Sequence, residues 1–160
     1  MQLRPAVRER LMLQGFACDI DPAVGKAAAW LRFTPAVSTM WLITAVALRS
    51  APALWIFAAL AAAGAAGWHP FDQIFNRVIR HALGAPPLPS NPAPRRFAMA
   101  LASAWSAAAG VLLAAGFTTA GVLAGGLLAL AGAIVATTHF CLGSWLWRQL
   151  VRVRRPPVAT

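Results

Sequence analysis

Long apolar runs and short polar segments alternate along this chain. Four runs, at residues 34–49, 53–68, 97–116 and 119–140, contain a single Lys, Arg, Asp or Glu, which is Arg49. At about 1.5 Å per residue the last two runs can cross the roughly 30 Å hydrocarbon core of a bilayer, whereas the first two, of about 16 residues each, rise only about 24 Å. The pattern predicts an all-α membrane protein with four transmembrane helices in two hairpins. A re-entrant first hairpin is the alternative.

The polar segment between the two predicted hairpins has a helical repeat. Apolar side chains recur every three or four positions from Phe71 to Leu83, and polar side chains take the other face. Pro70 suits a first helical turn, and Gly84 with the prolines after it ends the helix. We therefore expect an amphipathic helix over 70–83 that lies in the membrane interface. The side chains expected to contact lipid or a partner are Phe71, Phe75, Arg77, Arg80, Arg95 and Arg96.

Composition supports a membrane protein and sets its predicted orientation. Hydrophobic residues make up 59% of the chain and charged residues 11%, which is too apolar for an ordinary soluble domain. The net charge of +10 does not indicate nucleic-acid binding, because the basic residues are not interleaved with aromatic residues along one polar face. Of the 14 basic residues, all but Arg49 fall on one side of the four-span arrangement, so the positive-inside rule predicts cytoplasmic termini. Residues 1–33 then form a basic segment with a short interfacial helix, 34–147 the membrane domain, and 148–160 a basic tail.

Small residues form stripes on the last two predicted spans. Such stripes let helix backbones approach closely where lipid supplies no hydrophobic drive between helices. The spacing predicts that these two spans pack tightly against each other. The residues of the two stripes are Ala102, Ser106, Gly110 and Ala114, and Gly121, Gly125, Ala129 and Ala133.

Candidate chemistry lies at the predicted cytoplasmic ends of the spans. Cys141 is a thiol candidate, although position 144 is Ser, so the chain lacks the second thiol of a CxxC pair; an unreactive buried cysteine is the plainer interpretation. His69 and His139 end the second and fourth spans and are candidate ligands of a haem or chlorin, for which Gly64 and nearby small residues would leave room. Histidines that cap helices or bond to carbonyl groups are the commoner alternative.

The spans otherwise lack the groups that catalysis or transport requires. Transporters and channels place ionisable groups at membrane depth, whereas these runs contain no Lys, Arg, Asp or Glu apart from Arg49. Asp72 is the only acid after residue 21, and we expect it to stabilise the start of the interfacial helix, paired with Arg95 or Arg96. No phosphate-binding glycine loop, HExxH or serine-histidine-acid set is present. We therefore expect no enzyme activity, metal or resident cofactor.

Three motifs resemble a family of small bacterial integral membrane proteins that is classed as a domain of unknown function. They are PFDQIFNRVIR, NPAPRRFA and FCLGSW, which lie between His69 and Trp147. The resemblance implies the fold and a location in the bacterial cytoplasmic (inner) membrane. Family members typically end FCxGC, so Cys141 matches the first cysteine and Ser144 replaces the second. Some are associated with thioredoxin-like or sulfur-transfer proteins, which implies a possible partner of that kind.

Three functions remain open from the sequence. An accessory or assembly subunit of a larger membrane complex is favoured by the small-residue stripes, the interfacial helix and the basic segments, which offer contacts to other integral membrane proteins and anionic lipids. A thiol-redox or sulfur-relay protein would use Cys141. A haem- or pigment-binding subunit would use His69 or His139.

Overall fold

A computed structural model describes residues 3–16 and 22–154, the last three by their backbone alone. All regular elements in these residues are helical. Cys18 lies outside them, and the predicted basic tail is described only as far as position 154. The elements are α1 Pro5–Leu13, α2 Pro22–Ala27, a 3₁₀ turn Trp30–Arg32, α3 Phe33–Ala47, α4 Ala51–Ala65, α5 Pro70–Ile74, a π-helical turn Phe75–Ile79, α6 Arg80–Leu83, α7 Ala93–Ala114, α8 Thr118–Thr138 and α9 Leu142–Arg154.

Two antiparallel hairpins, α3–α4 and α7–α8, form the apolar body of the protein. α4 packs along α7, where the Ser106 hydroxyl donates to the Leu54 carbonyl at 2.8 Å. α3 packs along α8, where Gly125 lies against Val46. The hydrophobic core therefore lies between the two hairpins, and its buried residues are Leu42, Ala45, Leu54, Phe57, Ala61, Ala109 and Ala129.

The first hairpin is shorter than the second. α3 and α4 contain 15 residues each, whereas α7 contains 22 and α8 contains 21. Val46 contacts Gly125, and fewer residues separate Val46 from the α3–α4 turn than separate Gly125 from the α7–α8 turn. At a rise of about 1.5 Å per residue, the α3–α4 turn therefore ends about 8 Å short of the α7–α8 turn. Within the described residues, two helices are long and apolar enough to cross a membrane, and the bent pair Ala51–Ala65 and Pro70–Leu83 would make a third. The protein is thus an all-helical membrane protein, but four full spans are not confirmed.

The small-residue stripes contact the shorter hairpin as well as each other's helix. Ser106 and Gly110 face α4, and a Cβ atom at Gly110 would lie 2.5 Å from Nε1 of Trp55. Gly125 faces α3, while Gly121 does face α7. Ala102 is partly buried against the same core. The small residues therefore admit the shorter hairpin as much as they join the two long helices, because any neighbouring helix can approach a surface without large side chains.

The central helix, residues 70–83, comprises α5, the π-helical turn and α6. The chain bends by 72° between α4 and the central helix, so the central helix crosses the end of the bundle. Ile74, Val78 and Leu83 are 49%, 65% and 55% exposed and form its outward apolar face. Arg77 is exposed, and Arg80 bonds to the carbonyl of Asn76. The outward side of this helix therefore has the mixed apolar and basic surface expected at a membrane interface.

The prediction that Phe75 contacts lipid is wrong. Its side chain is 0% exposed, and its ring lies 5.5 Å from that of Trp30 and 5.1 Å from that of Phe33. Phe71 is half-buried beside the His69 ring. Periodicity marked both phenylalanines as apolar, but it did not reveal that aromatic side chains at the start of α3 would cover Phe75. Phe75 therefore anchors the central helix to protein rather than to lipid.

The N-terminal segment, residues 3–16, packs onto the end of the bundle where α3 begins and α8 ends, here called the polar end. Residues 1–33 are predicted to form a basic segment with a short interfacial helix. A second core joins residues 3–16 to α2, the 3₁₀ turn, the central helix and the loop after it. Its buried residues are Leu11, Phe16, Val24, Ala28, Leu31, Phe75 and Leu88.

α9 follows α8 after a sharp break and packs back against the start of α7. His139 and the two residues after it separate the helices, and His139 has φ 61°, in the left-handed region. A Cβ atom at Gly143 would lie 2.7 Å from Cβ of Ala98, so the two helices are in close contact. The rings of Phe97 and Trp147 are 5.2 Å apart. This packing brings Cys141, just before α9, next to the first turns of α7.

Candidate functional site

The polar end of the bundle collects most of the polar candidates that the sequence offered. His69 follows α4, Asp72 lies in α5, Arg95 lies in the first turns of α7, and His139 and Cys141 lie between α8 and α9. All five side chains are buried. Since the hairpins are antiparallel, their ends meet at the same level, and this brings residues that are 72 positions apart in sequence into one cluster.

Asp72 is held by two neutral donors. The Thr34 hydroxyl donates to Oδ1, and the amide nitrogen of Asn91 donates to Oδ2 at 2.7 Å. The charge of Asp72 interacts with that of Arg95. The expected pairing with Arg95 or Arg96 is thus an interaction with Arg95, whereas Arg96 is exposed and donates to the Ala65 carbonyl.

The positive charge of Arg95 interacts with each of the other members of the cluster. Its side chain is 5% exposed, and its guanidinium carbon lies 5.4 Å from the centre of the Phe16 ring. It interacts electrostatically with Asp72, Cys141 and both buried histidines. We had expected Arg95 to contact lipid or a partner, and this is wrong, because the N-terminal segment and the loop before α7 enclose it. A buried guanidinium can stabilise an anion formed beside it.

Cys141 occupies the position immediately before α9. Its side chain is 8% exposed, and its carbonyl accepts a hydrogen bond from the Trp145 amide. Ser144, the third residue of α9, is 0% exposed, and its hydroxyl has no hydrogen-bond partner within the described residues. A hydroxyl buried without a partner is uncommon, because the lost hydration is not replaced. Ser144, three residues after Cys141, therefore has unused hydrogen-bonding capacity.

His139 is fixed on both its side chain and its backbone. The Arg32 Nε–H donates to Nε2 of His139 at 2.8 Å, and the Gln14 amide donates to the His139 carbonyl at 2.6 Å. Burial, followed by the charges of Arg32, Arg95 and Arg10, lowers the pKa of His139 from 6.5 to about 4. His139 is therefore a neutral hydrogen-bond acceptor at neutral pH.

Neither buried histidine presents a free nitrogen lone pair to a metal. Nδ1 of His69 accepts from the Phe71 amide at 3.3 Å, so its neutral ring carries the proton on Nε2. Nε2 of His139 is occupied by Arg32. A Cβ atom at Gly64 would lie 2.4 Å from the His69 ring and 2.7 Å from the Met99 sulfur, so both side chains pack directly against this glycine. The described residues also contain no group of three or more His, Cys, Asp or Glu arranged for a metal ion.

A small polar cavity of about 240 Å³ opens beside the cluster. Its lining combines residues between α4 and the end of the central helix with residues 88–91 of the loop before α7; the former are Gly67, His69, Asp72, Gln73 and Asn76. Asn76 closes that loop, because its side chain donates to the Leu88 carbonyl and accepts from the Leu88 amide. The cavity therefore gives solvent a route to one side of the cluster.

Sequence reasoning missed several residues that complete this site. Gln14, Arg10 and Arg148 bond to carbonyls more than 100 positions away, so no local pattern could identify them. Ser144 was noted only as a missing cysteine. Asn91, which donates to Asp72, carried a weaker signal, since it begins the NPAPRRFA motif that also contains Arg95.

The family comparison agrees with the resemblance carried by the motifs. A family model described as a domain of unknown function (DUF4395) matches residues 28–152. No curated protein matches the chain, and no solved structure matches it. The match includes α3 to α8, Arg95, Cys141 and Ser144, and it begins after the N-terminal segment. This chain therefore belongs to the family described as a domain of unknown function, DUF4395.

Proposed function

We propose that this chain is a membrane sulfur-relay protein in which Cys141 receives a sulfane sulfur from a persulfide on a partner and passes it to an acceptor thiol. The observation that carries the proposal is the position of Cys141: it immediately precedes α9, interacts with the buried Arg95, and lies three residues before the unpartnered Ser144 hydroxyl. The positive end of a helix and a guanidinium both stabilise an anionic sulfur.

One thiol is sufficient for this reaction. The Cys141 thiolate attacks the outer sulfur of the donor persulfide, a bond forms between the two sulfurs, and the donor's own S–S bond breaks. The donor leaves as a thiolate, and Cys141 carries the persulfide with its proton. An acceptor thiolate then attacks the outer sulfur, and Cys141 leaves as a thiolate. No net oxidation occurs, so Ser144 in place of a second cysteine is compatible with a relay but not with a dithiol cycle.

Persulfide loading of the purified chain tests the proposal. Protein in mild detergent is incubated with glutathione persulfide, and its intact mass is measured before and after addition of dithiothreitol as the acceptor. We expect one reversible added sulfur in the Cys18→Ser protein and none in the protein that carries both Cys18→Ser and Cys141→Ser. If the double variant still takes up sulfur, or the Cys18→Ser protein takes up none, the relay is rejected.

Arg95 and Arg96 provide a matched pair for the electrostatic part of the proposal. Arg95→Gln removes the buried charge that interacts with Cys141, and we expect loading to be slower than in the unaltered chain. Arg96→Gln changes the neighbouring exposed arginine and should leave the rate unchanged. Helix content by circular dichroism checks that both variants are folded. Equal loading rates in the two folded variants would remove Arg95 from the proposal.

A second function, that of an accessory subunit of a membrane complex, rests on a different surface. Leu101, Ala104, Trp105, Ala108 and Ala124 line a shallow apolar groove of about 360 Å³ between α7 and α8. The groove faces outward, and the windows of α7 and α8 suited to span a membrane are only 17% and 22% buried within the chain. We propose that a transmembrane helix of another membrane protein occupies it.

Filling this groove tests the second function separately. Ala108→Leu places a larger side chain in the groove, whereas Val111→Leu changes an exposed position of the same helix. We expect stoichiometric partners from the native membrane to be lost from Ala108→Leu and retained by Val111→Leu. Purification of the unaltered chain without any stoichiometric membrane partner would exclude the subunit role.

A further inference from the structure

The N-terminal segment, residues 3–16, is held by groups on both sides of Cys141. On the side of α8, Arg10 donates to the Thr138 carbonyl at 2.8 Å, and Gln14 donates to the His139 carbonyl at 2.6 Å. On the side of α9, Arg148 donates from Nε to the Leu13 carbonyl at 3.0 Å. The segment therefore bridges the break between α8 and α9 that contains Cys141.

Arg148 acts at the end of α1. Its Nη2 also donates to the Met12 carbonyl, so one guanidinium satisfies two carbonyls in the last turn of that helix. Carbonyls at a helix C-terminus lack intrahelical partners and carry partial negative charge, which makes a cation there favourable. Replacing Arg148 would remove both bonds without changing the segment itself.

Gly15 and Phe16 seat the end of the segment on the start of α7. Gly15 has φ +95°, and a Cβ atom there would lie 2.9 Å from both Pro92 and Pro94. Phe16 is 4% exposed and lies over the Arg95 guanidinium. The segment thus covers the charge that interacts with Cys141, and its seat tolerates no side chain at position 15.

We propose that residues 3–16 form a displaceable lid over Cys141, closed by Arg148 and by the seat of Gly15 on Pro92 and Pro94. The inference rests on the proposed sulfur relay, because a partner's persulfide sulfur has to make contact with a thiol that is only 8% exposed. Release of the N-terminal segment uncovers Cys141 and Arg95 together. Opening also withdraws Leu11 and Phe16 from the second core, but the core between the two hairpins contains no residue of this segment, so the segment can open while the two hairpins stay packed.

Thiol accessibility tests the lid without any sulfur chemistry. All proteins carry Cys18→Ser, so that Cys141 is the single thiol of the chain. The rate at which a maleimide–polyethylene glycol reagent modifies Cys141 is measured in mild detergent. Arg148→Ala removes the charged hydrogen bonds to α1, and Gly15→Ala forces a side chain against Pro92 and Pro94, so both variants loosen the lid. We expect modification of Cys141 to be at least about tenfold faster, because losses of this size shift a local opening equilibrium by about that factor.

Two matched variants serve as controls. Arg77→Ala removes an exposed arginine of the central helix, and Gly84→Ala places a side chain at another left-handed glycine that has nothing within 4 Å. Neither should change the rate. Unchanged modification in both Arg148→Ala and Gly15→Ala would overturn the lid, and so would equal acceleration in the controls.

Hydrogen–deuterium exchange of the otherwise unaltered protein provides a measurement that does not depend on a folded variant. Amides of residues 5–13 should exchange faster than those of α7 and α8, and exchange as slow as in those helices would overturn the lid. Persulfide loading of the same variants separates the two proposals. Variants that are modified faster but never take up sulfur would retain the lid and reject the relay, whereas loading with unchanged accessibility would retain the relay and reject the lid.

Discussion

His139 shows how the position of one residue sets its chemistry. It ends α8 in the left-handed region, its ring accepts from Arg32, and its carbonyl accepts from Gln14. Three arginines surround it, and the pKa of its ring falls to about 4 because burial and positive charge both disfavour the imidazolium. A histidine in this position holds the α8–α9 break together only while it is neutral.

Folding stability should therefore depend on pH between about 6.5 and about 4. In that window the unfolded chain binds a proton at His139 and the folded chain does not, so stability falls as the pH falls, by at most about 3 kcal/mol for the pKa difference. Thermal unfolding in detergent at a series of pH values measures this dependence. His139→Asn keeps a residue that tolerates a left-handed backbone but removes the titration, so its dependence should be flatter.

The control for this prediction is His81, which is exposed on the central helix. His81→Asn should show the same slope as the unaltered chain. If the slopes of His139→Asn and of the unaltered chain coincide, the burial of a neutral His139 does not contribute to the pH dependence.

At the scale of helices, close approach depends on single small residues. Gly110 of α7 admits the Trp55 ring of α4, and Gly125 of α8 admits Val46 of α3. A Cβ atom at Gly126, the next residue after Gly125, would have no neighbour within 4 Å. The two kinds of glycine look alike in the sequence and differ only in what packs against them.

Gly110→Ala should destabilise the protein by about 1–3 kcal/mol, because the Trp55 ring has to move to accommodate the methyl group. Gly126→Ala should be neutral or slightly stabilising, since alanine is the better helix former and meets no neighbour. Midpoints of thermal unfolding in detergent compare the two. Equal midpoints would show that α4 and α7 are not as closely packed as described.

The two faces of the central helix should respond differently to a charge. Phe75→Asp buries a carboxylate between Trp30 and Phe33, and we expect it to destabilise the fold by several kcal/mol. Val78→Asp introduces the same group on the outward apolar face, so the fold should persist while the helix moves out of the interface. Unfolding midpoints and protease protection of residues 69–97 in vesicles separate the effects. Similar midpoints for both variants would contradict the burial of Phe75.

At the scale of the whole molecule, the unequal hairpins set how far each turn extends. The α3–α4 turn at Arg49 falls about 8 Å short of the α7–α8 turn at Phe117, at about 1.5 Å per residue. Leu48 and Phe117 are both exposed at their respective turns. In a bilayer, the second hairpin should therefore reach the far surface while the first stops deeper.

Single cysteines at these turns test this difference. In a chain without Cys18 and Cys141, Phe117→Cys should react with a membrane-impermeant maleimide added to the far side of sealed vesicles, and Leu48→Cys should react much more slowly. Equal reaction would indicate that the first hairpin also crosses fully. A reporter fused after Thr160 checks orientation independently, because activity on the periplasmic side alone would contradict cytoplasmic termini.

The sequence by itself determined the helical class, the membrane character and the central amphipathic helix. These features follow from runs of apolar residues and from a period of three to four positions, which are local properties of the chain. It also predicted Cys141, His69 and His139 as candidate site residues, and Arg95 as a contact with lipid or a partner. Local pattern could not say that Arg95 and Phe75 are enclosed, or that the two histidines use their lone pairs in hydrogen bonds.

Tertiary structure decided everything that depends on which helix ends meet. The antiparallel hairpins bring residues from α4, α5, α7 and the α8–α9 break to one end, and the N-terminal segment then covers them. Long-range bonds such as that of Gln14 to His139 join positions separated by 125 residues, and no periodicity records them. The length of a span follows from the sequence, because it is the length of an apolar run. The partner of each small residue is fixed only when the shorter hairpin packs against the longer one.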